Sequence, residues 1–246
     1  MAKSVAAIIC CAGPGSRFGG KRKKQYVNVD GRAVFLRSVE LFSGRDDVKQ
    51  VLLGISEEDE ELVSIKWGPN LEFFGVKRFY GGAERFETVS KGLELVKEDV
   101  DLVAVHDACR CCVTDQMIGD VIDAAAKTGA AIPAAPVTAT IKKAQESMIV
   151  ETVERSNLFE AQTPQIFDKA LLEKAYANLA NVDQNRISDD AQLVEALGEK
   201  VSIVETDSSN IKITRPSDIP IADAIVRSRP KPKAEGYEGP FIEARW

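Results

Sequence analysis

Val5-Ala-Ala-Ile-Ile-Cys-Cys-Ala-Gly-Pro-Gly15 is an apolar run that ends abruptly in glycines. The stretch Val5–Ile9 has the length and composition of a buried strand, and the glycines behind it let the backbone turn sharply and approach a ligand closely. Next comes Ser16-Arg-Phe-Gly-Gly-Lys-Arg-Lys-Lys-Gln-Tyr26, with five cations between Arg17 and Lys24. A glycine loop carrying that much positive charge at a strand end suits an anion, and among anions a polyphosphate.

The pattern that starts here continues along the chain. Val48–Ile55, Leu102–His106, Ala130–Ala135 and Val201–Glu205 read as short buried strands. Between them, Phe86, Val89, Leu93 and Val96 recur at helical spacing, as do Leu171, Leu172, Ala175 and Leu179. Such alternation predicts an α/β fold, a mostly parallel sheet with helices on both faces. Ligands of these sheets bind beyond the carboxyl ends of the strands, so the residues after each strand carry the chemistry. Thr138 to Thr152 breaks the alternation and predicts a hairpin that no helix covers, an edge decoration or an arm reaching a partner subunit. Residues 1–227 are expected to form a single domain with the arm at about 138–158. Residues 228–246, rich in Pro, Lys, Gly and Glu, read as a C-terminal tail with little core of its own.

Composition narrows the function classes. The chain has 246 residues, 44% hydrophobic and 28% charged, which suits an ordinary globular protein. A formal net charge of -6 argues against a general nucleic-acid surface and makes the basic N-terminal loop stand out. No apolar stretch approaches the roughly 18 residues of a membrane span, and no signal-peptide pattern precedes the first strand. The expectation is a cytoplasmic protein without membrane partners, or a plastid one whose transit segment has been removed. The five cysteines fall in two clusters, Cys10-Cys11 and Cys109-Arg-Cys111-Cys112. Adjacent pairs in odd number make a poor disulfide framework, and the spacing is not that of a zinc site. They read as small, buried or half-buried residues beside the ligand loop.

Known phosphate cradles fit the first loop badly. A dinucleotide fingerprint needs glycine where this chain has Phe18. The P-loop pattern is satisfied from Gly15 to Lys21, but Arg22 then stands where a magnesium-binding hydroxyl is required. What remains is Ala12, Gly13, Gly15, Arg17, Phe18, Lys24 and Gln25 behind the first strand. That arrangement resembles the signature of sugar-phosphate nucleotidyltransferases, whose loop wraps a nucleotide triphosphate. Consecutive backbone N–H groups would form an anion nest, with Arg17 and Lys24 adding charge-assisted hydrogen bonds.

Further stretches narrow the resemblance. They are Gly81-Gly-Ala-Glu-Arg-Phe-Glu-Thr-Val89, His106-Asp-Ala-Cys-Arg110, Pro136-Val-Thr-Ala-Thr-Ile-Lys142, Arg155 before Ala161-Gln-Thr-Pro-Gln165, Ser188-Asp-Asp-Ala191 and Asn210-Ile-Lys-Ile-Thr214. In order and spacing, from about residue 4 to 227, the chain is similar to the cytidylyltransferases acting on 2-C-methyl-D-erythritol 4-phosphate. The resemblance implies a Rossmann-like nucleotidyltransferase fold and a hairpin arm that makes a homodimer. It also implies CTP and a small sugar-alcohol phosphate as reactants, with Mg²⁺ as divalent cation.

By the same resemblance, Arg17, Lys24 and Lys212 are the catalytic cations, Lys212 arriving on a last strand over Asn210–Thr214. Asp107 would hold the metal, a lone carboxylate after a strand being able to fix Mg²⁺ against phosphate oxygens. Ala12, Gly13, Gly15, Gly82, Ala83, Thr88 and Ala108 would bind the nucleotide, with Thr88 donating its hydroxyl to cytosine. Arg110, Thr140, Arg155 and Thr163 would meet the acceptor. His106, the only histidine, is expected to be a packed, hydrogen-bonded residue and not a base, because the nucleophile is already a phosphate anion. The chain departs from the family pattern at Ala83, Ala139, Cys109 and Cys111, and Cys111 in place of proline is expected to loosen the loop after Arg110. Ribitol 5-phosphate therefore remains an alternative acceptor, and a nucleotide-binding regulatory subunit without turnover an alternative role.

Overall fold

The structure is a computed structural model that describes residues 3–15, 18–19 and 23–230. In chain order the strands are β1 (Val5–Cys10), β2 (Asn28–Val29), β3 (Arg32–Ala33), β4 (Val48–Ile55), β5 (Lys77–Tyr80), β6 (Leu102–Asp107), β7 (Ala130–Pro136), β8 (Ile141–Gln145), β9 (Met148–Val153), β10 (Phe159–Ala161), β11 (Gln165–Asp168) and β12 (Ser202–Glu205). The helices are α1 (Val34–Ser43), α2 (Glu60–Phe73), α3 (Arg85–Leu93), α4 (Asp115–Thr128), α5 (Lys169–Ala177), α6 (Asp190–Glu195) and α7 (Asp218–Ser228). Val96 and Leu179, counted with the helical patterns, lie just past the ends of α3 and α5.

An eight-stranded sheet carries the fold. Its order is β5-β4-β1-β6-β11-β7, and β7 pairs with both β10 and β12. Strands β5, β4, β1 and β6 are parallel, whereas β11 runs antiparallel between β6 and β7. Strand β1 sits centrally and is apolar on both faces, as a strand covered on both sides must be. Val5, Ala7 and Ile9 pack with α1, α2 and α4; Ala6 and Ile8 pack with α3, α5 and α6. A third, smaller cluster joins Cys109, Cys111 and Cys112 to Ile213 and Ala222 of α7. The register sets Cys10 beside Asp107, so β1 and β6 end together at one edge of the sheet.

Local chemistry ends the elements where they end. Thr114 caps α4 by accepting from Met117 N at 3.1 Å, and Gly129 closes that helix at φ 86°, a left-handed conformation that glycine adopts without strain. Glu84 and Glu87 form a capping box at the start of α3. Asp189 caps α6, which Gln165 ties to the sheet by accepting from Asp190 N and Ala191 N, both at 3.0 Å.

The predicted hairpin is present as β8 and β9, a two-stranded sheet separate from the main one, with Met148, Ile149 and Val150 exposed. One sequence expectation differs from the structure. Asn210–Thr214 forms no strand: its ends are held by Ile213 N donating to Cys109 O and by the Asn210 side chain donating to Thr163 O at 3.0 Å. Pinned that way, it crosses the sheet's end and extends no ladder. The loop after Arg110, where Cys111 stands, is packed and tied at both ends. Both Cys111 and Cys112 are buried, Val113 N donates to Arg110 O, and Arg229 donates to Cys112 O. Residues 231–246, most of the expected tail, lie outside the described residues.

Candidate active site

A cavity of about 240 Å³ opens at the carboxyl ends of β1 and β6. It is lined by Cys10–Gly15, Lys24, Gln25, Gly82–Arg85, Thr88, Asp107, Cys109, Lys212 and Thr214. The first loop forms one wall. Gly15 takes φ 67°, which a side chain would strain, and Phe18 N donates back to Gly15 O at 2.8 Å to close the turn. Buried Gln25 staples this loop from behind, its Nε2 donating to Cys11 O at 2.9 Å and Gly13 O at 3.1 Å. Arg17 lies outside the described residues.

The facing wall comes from the turn into α3. A Cβ built on Gly81 would stand 2.5 Å from Ala12 Cβ and 2.6 Å from Thr88 Oγ1, so the two loops meet only because residue 81 lacks a side chain. Thr88 has its hydroxyl engaged within this turn, accepting from Gly82 N at 3.0 Å and donating to Glu84 O at 3.3 Å. It thus shapes the loop, and Gly82 and Ala83 line the cavity beside it.

Charge concentrates at the base. Asp107 is buried; its backbone N–H donates to Thr163 Oγ1 at 3.0 Å. Arg85 Nε donates to its Oδ1 at 2.8 Å, Lys212 Nζ sits 2.6 Å from its Oδ2, and Arg110 Nε lies 4.0 Å away. Burial works against the charge on Asp107, but Arg85 and then Lys212 outweigh it and hold the carboxyl well below the ordinary carboxylate range. Arg85 in turn reaches Asp190 with Nη1 at 2.7 Å, and Tyr176 OH donates to the other oxygen of Asp190 at 2.6 Å. Desolvation opposes the Arg85 charge, yet Asp190 and Asp107 keep its pKa well above the usual value.

The structure therefore brings Ala12, Gly13, Gly15, Lys24, Gly82, Ala83, Thr88, Asp107 and Lys212 to one cavity. Four acceptor residues and Ala108 are placed elsewhere. Ala108 is fully buried, its N–H donating to Cys10 O at 3.1 Å. Thr163 sits behind Asp107, its hydroxyl 3.1 Å from His106 Nδ1. Arg110 donates to the carbonyls of Asn210 and Ala161. Thr140 and Arg155 lie on the exposed arm, with Arg155 donating to Thr138 O.

His106 is fully buried between Ser38 Oγ at 3.2 Å and Thr163, and burial lowers its pKa to about 3. It is neutral and packed, as expected. The two thiols that line the cavity beside Asp107 are inert by the same logic: burial raises Cys10 to about 12 and Cys109 to about 11. Arg85, Asp190 and the stapling role of Gln25 were not singled out from sequence, although all three sit in the quoted motifs.

Comparison with known proteins agrees with this geometry. A family model described as 2-C-methyl-D-erythritol 4-phosphate cytidylyltransferase (IspD) matches residues 5–228. A protein of that name from Endomicrobium trichonymphae is 40% identical over 224 residues, 91% of this chain and 99% of the relative. One from Rhodopirellula baltica is 39% identical over 237 residues, 92% of this chain and 96% of its own. Among solved structures, 4-diphosphocytidyl-2C-methyl-D-erythritol synthase from Anaerococcus prevotii superimposes with a TM-score of 0.78 at 29% identity, covering 92% of this chain and 100% of its own. The cytidylyltransferase from Thermus thermophilus gives 0.73 at 31% identity, covering 92% and 100%. With loop, cavity and whole-chain likeness in agreement, this chain belongs to the 2-C-methyl-D-erythritol 4-phosphate cytidylyltransferase family.

Proposed function

We propose that this protein transfers the cytidylyl group of CTP to 2-C-methyl-D-erythritol 4-phosphate and releases pyrophosphate, a step toward isoprenoid precursors. The observation that carries the proposal is the convergence of Lys24, Lys212 and Asp107 on one cavity behind a glycine loop. An oxygen of the acceptor's phosphate attacks the α-phosphorus in line, forming the new P–O bond as the bond to the β-phosphate oxygen breaks. No proton need be removed, so catalysis rests on bringing two anions together and neutralising them. Lys24 and Arg17 bind the triphosphate, and Lys212 stabilises the charge that grows at the α-phosphate. The backbone of Gly82 and Ala83 reads the cytosine edge.

The donor chemistry of Asp107 fits Mg²⁺, which is commonly bound by one carboxylate together with substrate phosphates and water. Among the described residues no cluster of three His, Cys, Asp or Glu side chains could hold a metal; nucleotide phosphates and water would supply the remaining ligands. When bound, the cation neutralises phosphate charge. Arg110 and the arm residues Thr140 and Arg155 complete the acceptor site, the last two from a partner subunit, while buried Thr163 supports it from behind Asp107. Exposed Met148, Ile149 and Val150 on an uncovered hairpin support such a homodimer. The five free cysteines support a reducing cytoplasm. Among the described residues no helix is long and apolar enough to cross a membrane.

The test is pyrophosphate release from CTP and Mg²⁺ with methylerythritol phosphate and ribitol phosphate supplied in parallel. Turnover with methylerythritol phosphate alone is the expected result. Turnover with ribitol phosphate alone would overturn the acceptor, and CTP binding without turnover on either would turn the protein into a binding subunit.

A further inference from the structure

Arg85 is the residue of this site that the proposed mechanism leaves without a task. It is the first residue of α3, so the capping box at Glu84 and Glu87 fixes where its side chain begins. Its guanidinium then spans two buried carboxylates from distant parts of the chain, Asp107 at the end of β6 and Asp190 at the start of α6. Each partner is itself held. Asp190 is fully buried, accepts from Tyr176 OH, and has its backbone N–H tied to Gln165. Asp107 is tied through its backbone to Thr163. Among the described residues Arg85 Nη2 is buried and has no hydrogen-bond partner.

An ion triad with two buried carboxylates and a half-buried guanidinium is poor evidence for stability, because desolvating the charges costs about as much as their attraction returns. It is good at fixing one geometry, since a planar guanidinium accepts carboxylates only along its fork. Here the carboxylate being fixed lines the catalytic cavity. We infer that Arg85 is a positioning residue of the transfer, anchored by Asp190 and acting through Asp107 to hold that carboxylate at the reacting phosphates. The inference rests on the cytidylyltransferase reading above. It gives the Asp190–Tyr176–Gln165 cluster a role: a rigid abutment on the far side of Arg85, out of reach of substrate.

A double-mutant cycle tests it, with pyrophosphate release read under single-turnover conditions where variants are slow. Arg85→Gln should lower kcat about tenfold or more while changing the KM for CTP less than about threefold, because a misaligned group is felt in the transition state. On an Asp107→Ala background the same substitution should cost less than about twofold, the residue through which it acts being gone. Since Arg85→Gln leaves Asp190 buried and unpaired, the Arg85→Gln/Asp190→Asn variant is measured beside it. That variant keeps an acceptor for Tyr176, and its thermal melt reports whether it folds. An unchanged kcat in a folded Arg85 variant would overturn the inference, as would an equal loss with and without Asp107. If the unaltered protein itself shows no turnover with methylerythritol phosphate, the functional assignment has failed instead, and the two failures are told apart.

Discussion

Gly81 shows how far a single atom matters at this site. Its missing Cβ leaves the space that Ala12 Cβ and Thr88 Oγ1 occupy, and neither neighbour is the far end of a flexible side chain. Gly81→Ala should push the α3 turn away from the first loop and weaken CTP binding on the order of tenfold, with the fold retained, when titrated by calorimetry. His106 makes a second residue-scale prediction. Buried and neutral, it has a pKa of about 3 against 6.5 when exposed. The unfolded chain therefore binds more protons at this group below pH 6.5, and stability is lost as pH falls from there toward 3. Urea melts between about pH 7 and 5 should show that decline; a flat profile would contradict it. Lys24 and Asp107 were legible in the sequence because each follows a recognisable loop or strand end; Lys212 was legible through the family resemblance alone, the strand expected to carry it being absent. Arg85 was not, since its meaning depends on Asp190, 105 positions away, and contact at that range leaves no local pattern.

At the level of elements, the strands with continuous apolar runs were readable, β4 over all of Val48–Ile55 and β6 to within one residue. The short strands β2, β3, β5, β10 and β11 were not, because two to four residues establish no period; β12, equally short, was read only because its apolar Val201, Ile203 and Val204 stand out between polar stretches. Asn210–Thr214 misled for the opposite reason. Ile211, Lys212 and Ile213 alternate like a strand, but the alternation serves only to send Ile213 into the third core cluster and Lys212 toward Asp107. The start of α4 is local chemistry, since Thr114 accepts from Met117 N. Thr114→Ala should cost about 1 kcal/mol of stability in a denaturant melt. It should leave kcat unchanged, since α4 contributes no residue to the cavity.

The whole molecule is an acidic chain built around a cationic cavity, and its arm carries exposed apolar residues that a lone subunit leaves in water. On the proposed dimer, in which Thr140 and Arg155 would be lent across the arm contact, Ile149→Glu should shift the sedimenting species from dimer to monomer and lower activity with it. A stable, fully active monomer would remove the arm from the mechanism. The central claim is that an acceptor phosphate displaces pyrophosphate from the α-phosphorus of CTP. Phosphorus NMR of protein, CTP, Mg²⁺ and methylerythritol phosphate tests this most directly. The monoester signal should be replaced by two coupled signals of a diphosphate diester, appearing in step with pyrophosphate. Free CMP or CDP accumulating while the monoester persists would contradict it.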